Sequence, residues 1–214
     1  MKGKALNRTI AWLALAAGLA LAAMLVAALV HGTTAQAFED FVDPAAYARS
    51  LLAFEGSIRT FITLDNLFLI SYTGALLMLA IALKDENNRW LVAAAVGALL
   101  VTTYLDIHEN NELLVFIQMA KAGFTPSVEM LHARALWSAV KFHSSYLSFF
   151  LIAFVLPQKT VLERFLRWSL WLGYVPIGIL VYTFPNPWFA LARYALMLGG
   201  LLILAWNFYL RSKK

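Results

Sequence analysis

Six apolar runs of about twenty residues divide this chain of 214 residues. A helix needs about 20 residues to cross the roughly 30 Å hydrocarbon core of a bilayer. The runs occupy residues 9–30, 64–83, 90–109, 136–156, 168–184 and 188–210. Hydrophobic residues make up 62% of the chain, a balance too apolar for one soluble core. The sequence therefore predicts an all-α, six-helix bundle that forms a single transmembrane domain over residues 1–214.

Basic residues lie at alternate ends of these runs, and their positions indicate how the chain is oriented across the membrane. They are Lys2, Lys4, Arg8, Lys84, Arg89, Lys159, Arg164, Arg167, Arg211, Lys213 and Lys214. Loops on the cytoplasmic side of a membrane carry the excess of Lys and Arg. Both termini are therefore expected in the cytoplasm, with the chain in the inner (plasma) membrane of a bacterial-type cell. Because the net charge of +5 comes from span ends rather than from one soluble basic surface, no nucleic-acid partner is expected.

Residues 31–63 then form an external segment. Within it, Asp43 and Pro44 have the residue types of an N-cap and a first helical position. The alternation of apolar and charged residues that follows predicts a short amphipathic helix on the membrane surface, and Gly56 is expected to end it.

Ionisable side chains occur within or beside the apolar runs, but only toward the external side. They include Asp65, Asp106, Glu109, Lys141 and Arg193. A charged residue at the bilayer centre costs about 2.5–3.5 kcal/mol even on lenient scales, so such residues face a bundle interior or an aqueous cavity. The sequence thus predicts a polar pocket open to the outer leaflet.

Helical spacing sorts the polar residues into stripes, because residues three, four or seven apart share a face. One stripe on each of the third and fourth spans is polar over more than one turn, and the two are expected to face each other. Lys141 should then lie within ion-pair reach of at least one of Asp65, Asp106 and Glu109. His108 and Glu112 are predicted to point away from the third-span stripe. The stripes are Thr102, Thr103, Asp106, Glu109 and Asn110 on the third span, and Arg134, Ser138, Lys141, Ser145 and Ser148 on the fourth.

The charge balance leaves two interpretations open: a buried ion pair that fixes helix register, and proton-transfer chemistry. The three acids exceed the two fixed cations, Lys141 and Arg193, so one carboxyl must hold a proton or find another partner. Asp106 and Glu109, one turn apart, are the expected proton donor and acceptor. The candidate catalytic residues are Asp106, Glu109, Lys141 and His143, and the candidate substrate-binding residues are Asp65, Ser138, Ser145 and Arg193.

A metal ion is the one cofactor that the residues allow, if Asp106, Glu109, His132 and His143 converge from different helices. His132 and His143 cannot share an ion within one helix, because about three turns, or about 16 Å, separate them. Haem is disfavoured, since only His143 lies clearly at membrane depth. The absence of cysteine excludes thiolate ligands, and no HExxH pair occurs.

Three functions remain open on these residues. The first is an enzyme that applies acid–base chemistry to a lipid or isoprenoid-like substrate, with membrane lipids as its surroundings. The second is an ion-coupled small transporter, although the other leaflet holds few charges and no inverted repeat is visible. The third is a non-catalytic membrane-complex subunit or assembly factor, in which the same charges fix helix register. The sequence specifies no protein partner.

Overall fold

The computed structural model describes residues 2–39, 43–184 and 186–213. Lys214 and the side chain of Lys2, both assigned to the basic groups, lie outside the described residues. The helices are α1 Lys2–His31, α2 Pro44–Ala53, α3 Glu55–Leu83, α4 Arg89–Lys121, α5 Val128–Val155, α6 Val161–Trp168, α7 Val175–Thr183 and α8 Pro187–Lys213. A short 3₁₀ helix, Ala35–Phe38, precedes α2, and a π-helical segment, Ser169–Tyr174, joins α6 to α7.

The described part of the chain is all-α, and six of its helical segments are long and apolar enough to cross a membrane. The segment from α6 through α7 counts as one of the six. This confirms the predicted fold class and the number of spans, and it is the architecture of a multi-pass membrane protein. α1 packs between α3 and α8, while α4 pairs with α5.

Three helices run well past the predicted apolar runs. α3 begins at Glu55 rather than at residue 64, α4 continues to Lys121 rather than ending at 109, and α5 begins at Val128 rather than at 136. Residues 55–63 of the predicted external segment are therefore part of α3. These extensions are amphipathic, so a window that asks for uniform apolarity misses them. With 33 residues, α4 is about 50 Å long, far more than a hydrocarbon core requires.

The predicted amphipathic helix is present as α2. Its N-cap is Asp43, whose Oδ2 accepts a hydrogen bond from the backbone N–H of Ala46 at 2.8 Å, and Pro44 is its first residue. The prediction that Gly56 ends this helix is wrong. α2 ends at Ala53, and Gly56 lies in the first turn of α3 with nothing packed against its α-carbon.

The buried apolar residues form two separate cores. The larger one, here called the membrane core, joins α1, α3, α4, α5 and α8. The smaller one, the cap core, lies between α2 and the amphipathic extensions of α3, α4 and α5. It consists of Phe38, Tyr47, Leu51, Ile58, Ile62, Leu113, Phe116, Ile117 and Leu131. The cap core therefore occupies the end of the bundle opposite to the basic residues.

Candidate functional site

A layer of charged side chains separates the two cores. In α3, Ile62 belongs to the cap core and Leu69 to the membrane core, and Asp65 lies between them. In α4 the membrane-core residues come before the cap-core residues, and in α5 the cap-core residues come first, as in α3. The charged residues between the two cores therefore lie at one level in all three helices. We call this set the charged layer. It consists of Glu39, Asp65, Asp106, Glu109, Glu112, Arg134 and Lys141.

The charged layer lies toward one end of the membrane-length helices, remote from the basic residues. At 1.5 Å per residue, Asp106 lies about 26 Å along α4 from Arg89, and Asp65 lies about 27 Å from the end of α3 at Leu83. Lys141 lies about 21 Å from the end of α5 at Val155. A hydrocarbon core is roughly 30 Å thick, so the layer is near the interface remote from the basic ends.

Lys141 is the centre of the layer, as the facing stripes predicted. Its Nζ lies 2.5 Å from Oε2 of Glu109, 3.2 Å from Oδ1 of Asp106 and 3.7 Å from Oε1 of Glu39. The side chain is only 7% exposed. The prediction that Lys141 pairs with at least one of the three acids is confirmed, with Asp106 and Glu109 both in contact. Three carboxylates therefore lie at ion-pair distance from the ammonium, and Glu109 accepts a hydrogen bond from it.

Arg134 is a second buried cation of the layer, and the sequence analysis gave it no specific role. Its Nη2 lies 3.2 Å from Oε1 of Glu109, and its Nη1 donates to Oε2 of Glu112 at 2.9 Å. The prediction that Glu112 points away from the stripe is wrong. Residues three apart in a helix are still neighbours, and the long arginine side chain reaches both carboxylates. His108, by contrast, is exposed, as predicted.

The 3₁₀ helix is attached to α5 through Phe38. The Nε of Arg134 donates to the carbonyl oxygen of Phe38 at 2.9 Å, and the hydroxyl of Tyr47 donates to the same oxygen at 3.0 Å. Burial raises the pKa of Tyr47 to about 12, so the phenol keeps its proton at neutral pH. Two donors on one carbonyl hold the turn that follows Phe38 against the layer.

Glu39 is the functional candidate that sequence reasoning missed. Its Oε2 accepts a hydrogen bond from Oγ of Ser138 at 2.7 Å, and its Oε1 faces Lys141. Burial raises the pKa of Glu39, but the charge of Lys141 and the bond from Ser138 outweigh it, so the net pKa is below the ordinary value. Glu39 follows a 3₁₀ turn with no helical or strand period, so only the fold brings it to Lys141. Ser138, predicted to bind substrate, binds Glu39 instead.

Asp65 belongs to the layer but pairs with amides. Its Oδ2 accepts from Nδ2 of Asn110 at 2.7 Å, and the same nitrogen lies 3.1 Å from Oδ1 of Asn66. Within the described residues, no cation lies at ion-pair distance from Asp65. The carboxyl is thus held by neutral groups at the edge of the layer, beside the ion pairs of Lys141.

The remaining predicted site residues lie in a neighbouring aromatic cluster, which consists of Phe142, His143, Tyr146, Tyr174, Tyr182 and Arg193. Arg193 does not join the carboxylates. Its Nη1 donates to the hydroxyl of Tyr146 at 3.2 Å, and its Cζ lies 4.3 Å from the ring centre of Phe142. Lys141 contacts the same ring, with its Nζ 4.5 Å from the ring centre. One phenyl ring therefore separates Arg193 from the charged layer.

His143 and Ser145 also lie outside the charged layer. His143 is exposed, its Nδ1 is 2.7 Å from the carbonyl oxygen of Ala139, and its ring packs against Tyr146 and Tyr182. The side chain lies on the opposite face of α5 from the carboxylates, as its spacing from Lys141 requires. Ser145 is buried beside the phenol of Tyr174. Neither residue contacts Asp106 or Glu109, so neither shares a site with them.

The four candidate metal ligands do not converge. Asp106 and Glu109 face Lys141, whereas His132 and His143 are exposed on α5. Across the described residues, no three histidine, aspartate or glutamate side chains are placed to hold one ion. The ammonium of Lys141 occupies the position between the carboxylates that a bound cation would require.

No family model matches this chain, and no curated protein or solved structure shows significant similarity to it. The charged layer and the aromatic cluster are therefore the features from which a function is inferred.

Proposed function

We propose that this protein is a membrane enzyme that applies acid–base chemistry to a lipid or isoprenoid-like substrate at the charged layer. The observation that supports it is the excess of acid. Five carboxyl groups surround Lys141 and Arg134, so full ionisation would leave a large net negative charge in a mostly buried layer. Because each carboxylate disfavours the ionisation of its neighbours, we expect some of these carboxyl groups to share protons.

Asp106 and Glu109 are the proposed acid–base pair. They are one turn apart on α4 and contact the same ammonium, at 3.2 and 2.5 Å. One carboxylate would accept a proton from the substrate while the other carboxyl returns one, so protons balance over the reaction. Lys141 lies at ion-pair distance from three carboxylates, so its proposed part in catalysis is to position and couple the pair.

Arg193 is the proposed contact for an anionic group of the substrate. In the part of the chain that the structure describes, its one hydrogen bond is to Tyr146, and no carboxylate lies within ion-pair distance. A guanidinium has five donors, so Arg193 has donors left for a ligand. Because only Phe142 separates Arg193 from Lys141, a small amphiphile could reach both clusters.

A non-catalytic subunit or assembly factor is the second candidate, and one observation favours it. The charged groups of the layer are paired with each other, which is also what a register-fixing ion network requires. A transporter has less support. Between the charged layer and the basic ends, the described membrane core is lined by apolar residues, with no second cluster of carboxylates to continue a relay.

Proton exchange into lipids distinguishes the enzyme from the scaffold. Purified protein in nanodiscs is incubated with a total bacterial lipid extract in deuterated water, and lipid masses are followed by mass spectrometry. An acid–base enzyme should place deuterium in, or change the mass of, one lipid class. Asp106→Asn and Glu109→Gln should abolish this change while the protein remains folded.

Glu86→Gln is the matched control, because Glu86 is an exposed carboxylate in the loop before α4. It should react like the unmodified protein. Retention of full activity by both layer variants would remove the proton-transfer assignment. Loss of folding in both, with no lipid change in the unmodified protein, would favour the scaffold.

A further inference from the structure

A cavity of about 540 Å³ opens at the basic end of the bundle, far from the charged layer. It lies between the end of α3, the link from α5 to α6, and the end of α8. Its polar lining comes from Lys159, Thr160, Glu163, Asn207 and Arg211. Because the membrane core lies between this cavity and the charged layer, the cavity is not part of the proposed active site.

Asn207 is the residue that points to a ligand. It is only 6% exposed, and it lines the cavity. Its side-chain amide has two donors and an acceptor, and it makes no hydrogen bond to another described residue. The amide is therefore available to a polar group inside the cavity.

The charges of the cavity favour an anion. Glu163 is fully engaged: Arg211 Nη2 pairs with its Oε1, while the backbone N–H groups of Lys159 and Thr160 donate to its Oε2 at 2.8 and 3.1 Å. The ammonium of Lys159 forms no ion pair with a described residue. Lys159 and Arg211 together exceed the single carboxylate, so the cavity carries a net positive charge with an amide donor beside it.

The rest of the lining is apolar, with Leu83, Leu162 and Leu210 among its residues. The cavity lies at the ends of three membrane-length helices, which is the level of lipid head groups. Basic pockets between membrane helices bind anionic lipid head groups. We propose that this cavity binds the phosphate head group of an anionic phospholipid, with Asn207 and Lys159 on the phosphate oxygens and the leucines against the glycerol and upper acyl chains.

Lipid titration of the purified protein tests this proposal. The protein in a neutral detergent is titrated with phosphatidylglycerol, and bound lipid is counted by native mass spectrometry. Phosphatidylcholine, glycerol phosphate and inorganic phosphate are titrated in parallel. We expect saturable binding of phosphatidylglycerol and much weaker binding of the other three. Equal binding of phosphatidylcholine would overturn the assignment to an anionic lipid, and equal binding of glycerol phosphate would replace the lipid by a soluble phosphate compound.

Two variants and a control locate the site. Lys159→Gln should weaken phosphatidylglycerol binding by about fivefold, the effect of one basic contact near a membrane surface. Asn207→Leu should weaken it by about tenfold or more, because a hydrogen bond to a charged group is lost. Lys159 is exposed, so its variant stays folded even if the change at Asn207 disturbs packing. Arg164→Gln removes the same charge from the same end outside the cavity and should leave the affinity unchanged. If all three variants bind phosphatidylglycerol with the same affinity, the lipid is held by general surface charge and the cavity site is refuted.

Discussion

Replacement of Lys141 by methionine keeps most of the side-chain volume and removes the charge at the centre of the layer. At an effective dielectric constant of about 20, each of its contacts with Glu109 and Asp106 contributes about 5–7 kcal/mol of Coulomb attraction. Desolvation of the ions offsets several kcal/mol apiece, so the expected net loss on breaking the network is about 3–5 kcal/mol. In a chain of 214 residues this corresponds to a fall in Tm of about 10 °C.

Thermal unfolding in detergent measures this loss, and Lys121→Met is the matched control. Lys121 also contacts a glutamate, with its Nζ 2.8 Å from Oε1 of Glu55, but its side chain is 53% exposed. An exposed pair contributes about 0–1 kcal/mol, so this variant should melt close to the unmodified protein.

The double variant Lys141→Met, Glu109→Gln should regain part of the lost stability, because one of the stranded carboxylates is removed with the ammonium. If Lys141→Met costs no more than Lys121→Met, or if the double variant is additive, the layer is not an electrostatically coupled network.

Three further outcomes are expected. Gly178→Ala should cost about 1–3 kcal/mol in thermal unfolding, because a β-carbon at Gly178 would overlap the ring of Tyr146, whereas Gly97→Ala adds a methyl to open space and should be neutral or stabilising. The pKa of Glu39 is lower in the folded protein than its unfolded value of about 4.5, so its ionised form stabilises the fold above that value and this stability is lost as the pH falls through the folded pKa. Glu39→Gln should therefore flatten the pH dependence of Tm below about pH 5, and an unchanged slope would contradict the contact with Lys141. A reporter inserted within residues 45–53 should give an external signal while one at the C-terminus gives a cytoplasmic signal, and the reverse result would invert the proposed orientation.

The sequence predicted the part of this structure that depends on uniform apolarity and helical period. Six spans, the Asp43 cap and the contact of Lys141 with Asp106 and Glu109 all follow from those two signals. The cap core could not be predicted in this way, because its helices are amphipathic and each is stabilised by the others rather than by lipid. Glu39 was missed for the same reason, since a residue in an aperiodic turn is positioned only by tertiary contacts.

The surroundings of Arg193 and His143 could not be predicted from the sequence for a different reason. Depth along a helix axis places a residue at a level in the membrane, but it does not say which neighbouring helix the side chain faces. Arg193 is at the level of the charged layer and turns to Tyr146 and Phe142, and His143 shares a turn with Lys141 but lies on the reverse face of α5. A cation in an aromatic environment is less costly than an unpaired one, because the ring faces attract it.

The charged layer lies between two apolar cores, and this position determines which groups can stabilise its acids. The cap core packs against one side of the layer and the membrane core against the other, so the carboxylates depend on Arg134 and Lys141 for stabilisation. Fixing helix register needs only one cation and one acid. The layer has five acids and two cations, which exceeds that requirement, and the extra acids repel one another. Selection for stability alone would remove this repulsion, and an excess of carboxyl groups is typical of sites whose protons take part in function. This excess of acid is why we propose proton transfer at Asp106 and Glu109 ahead of a purely structural network.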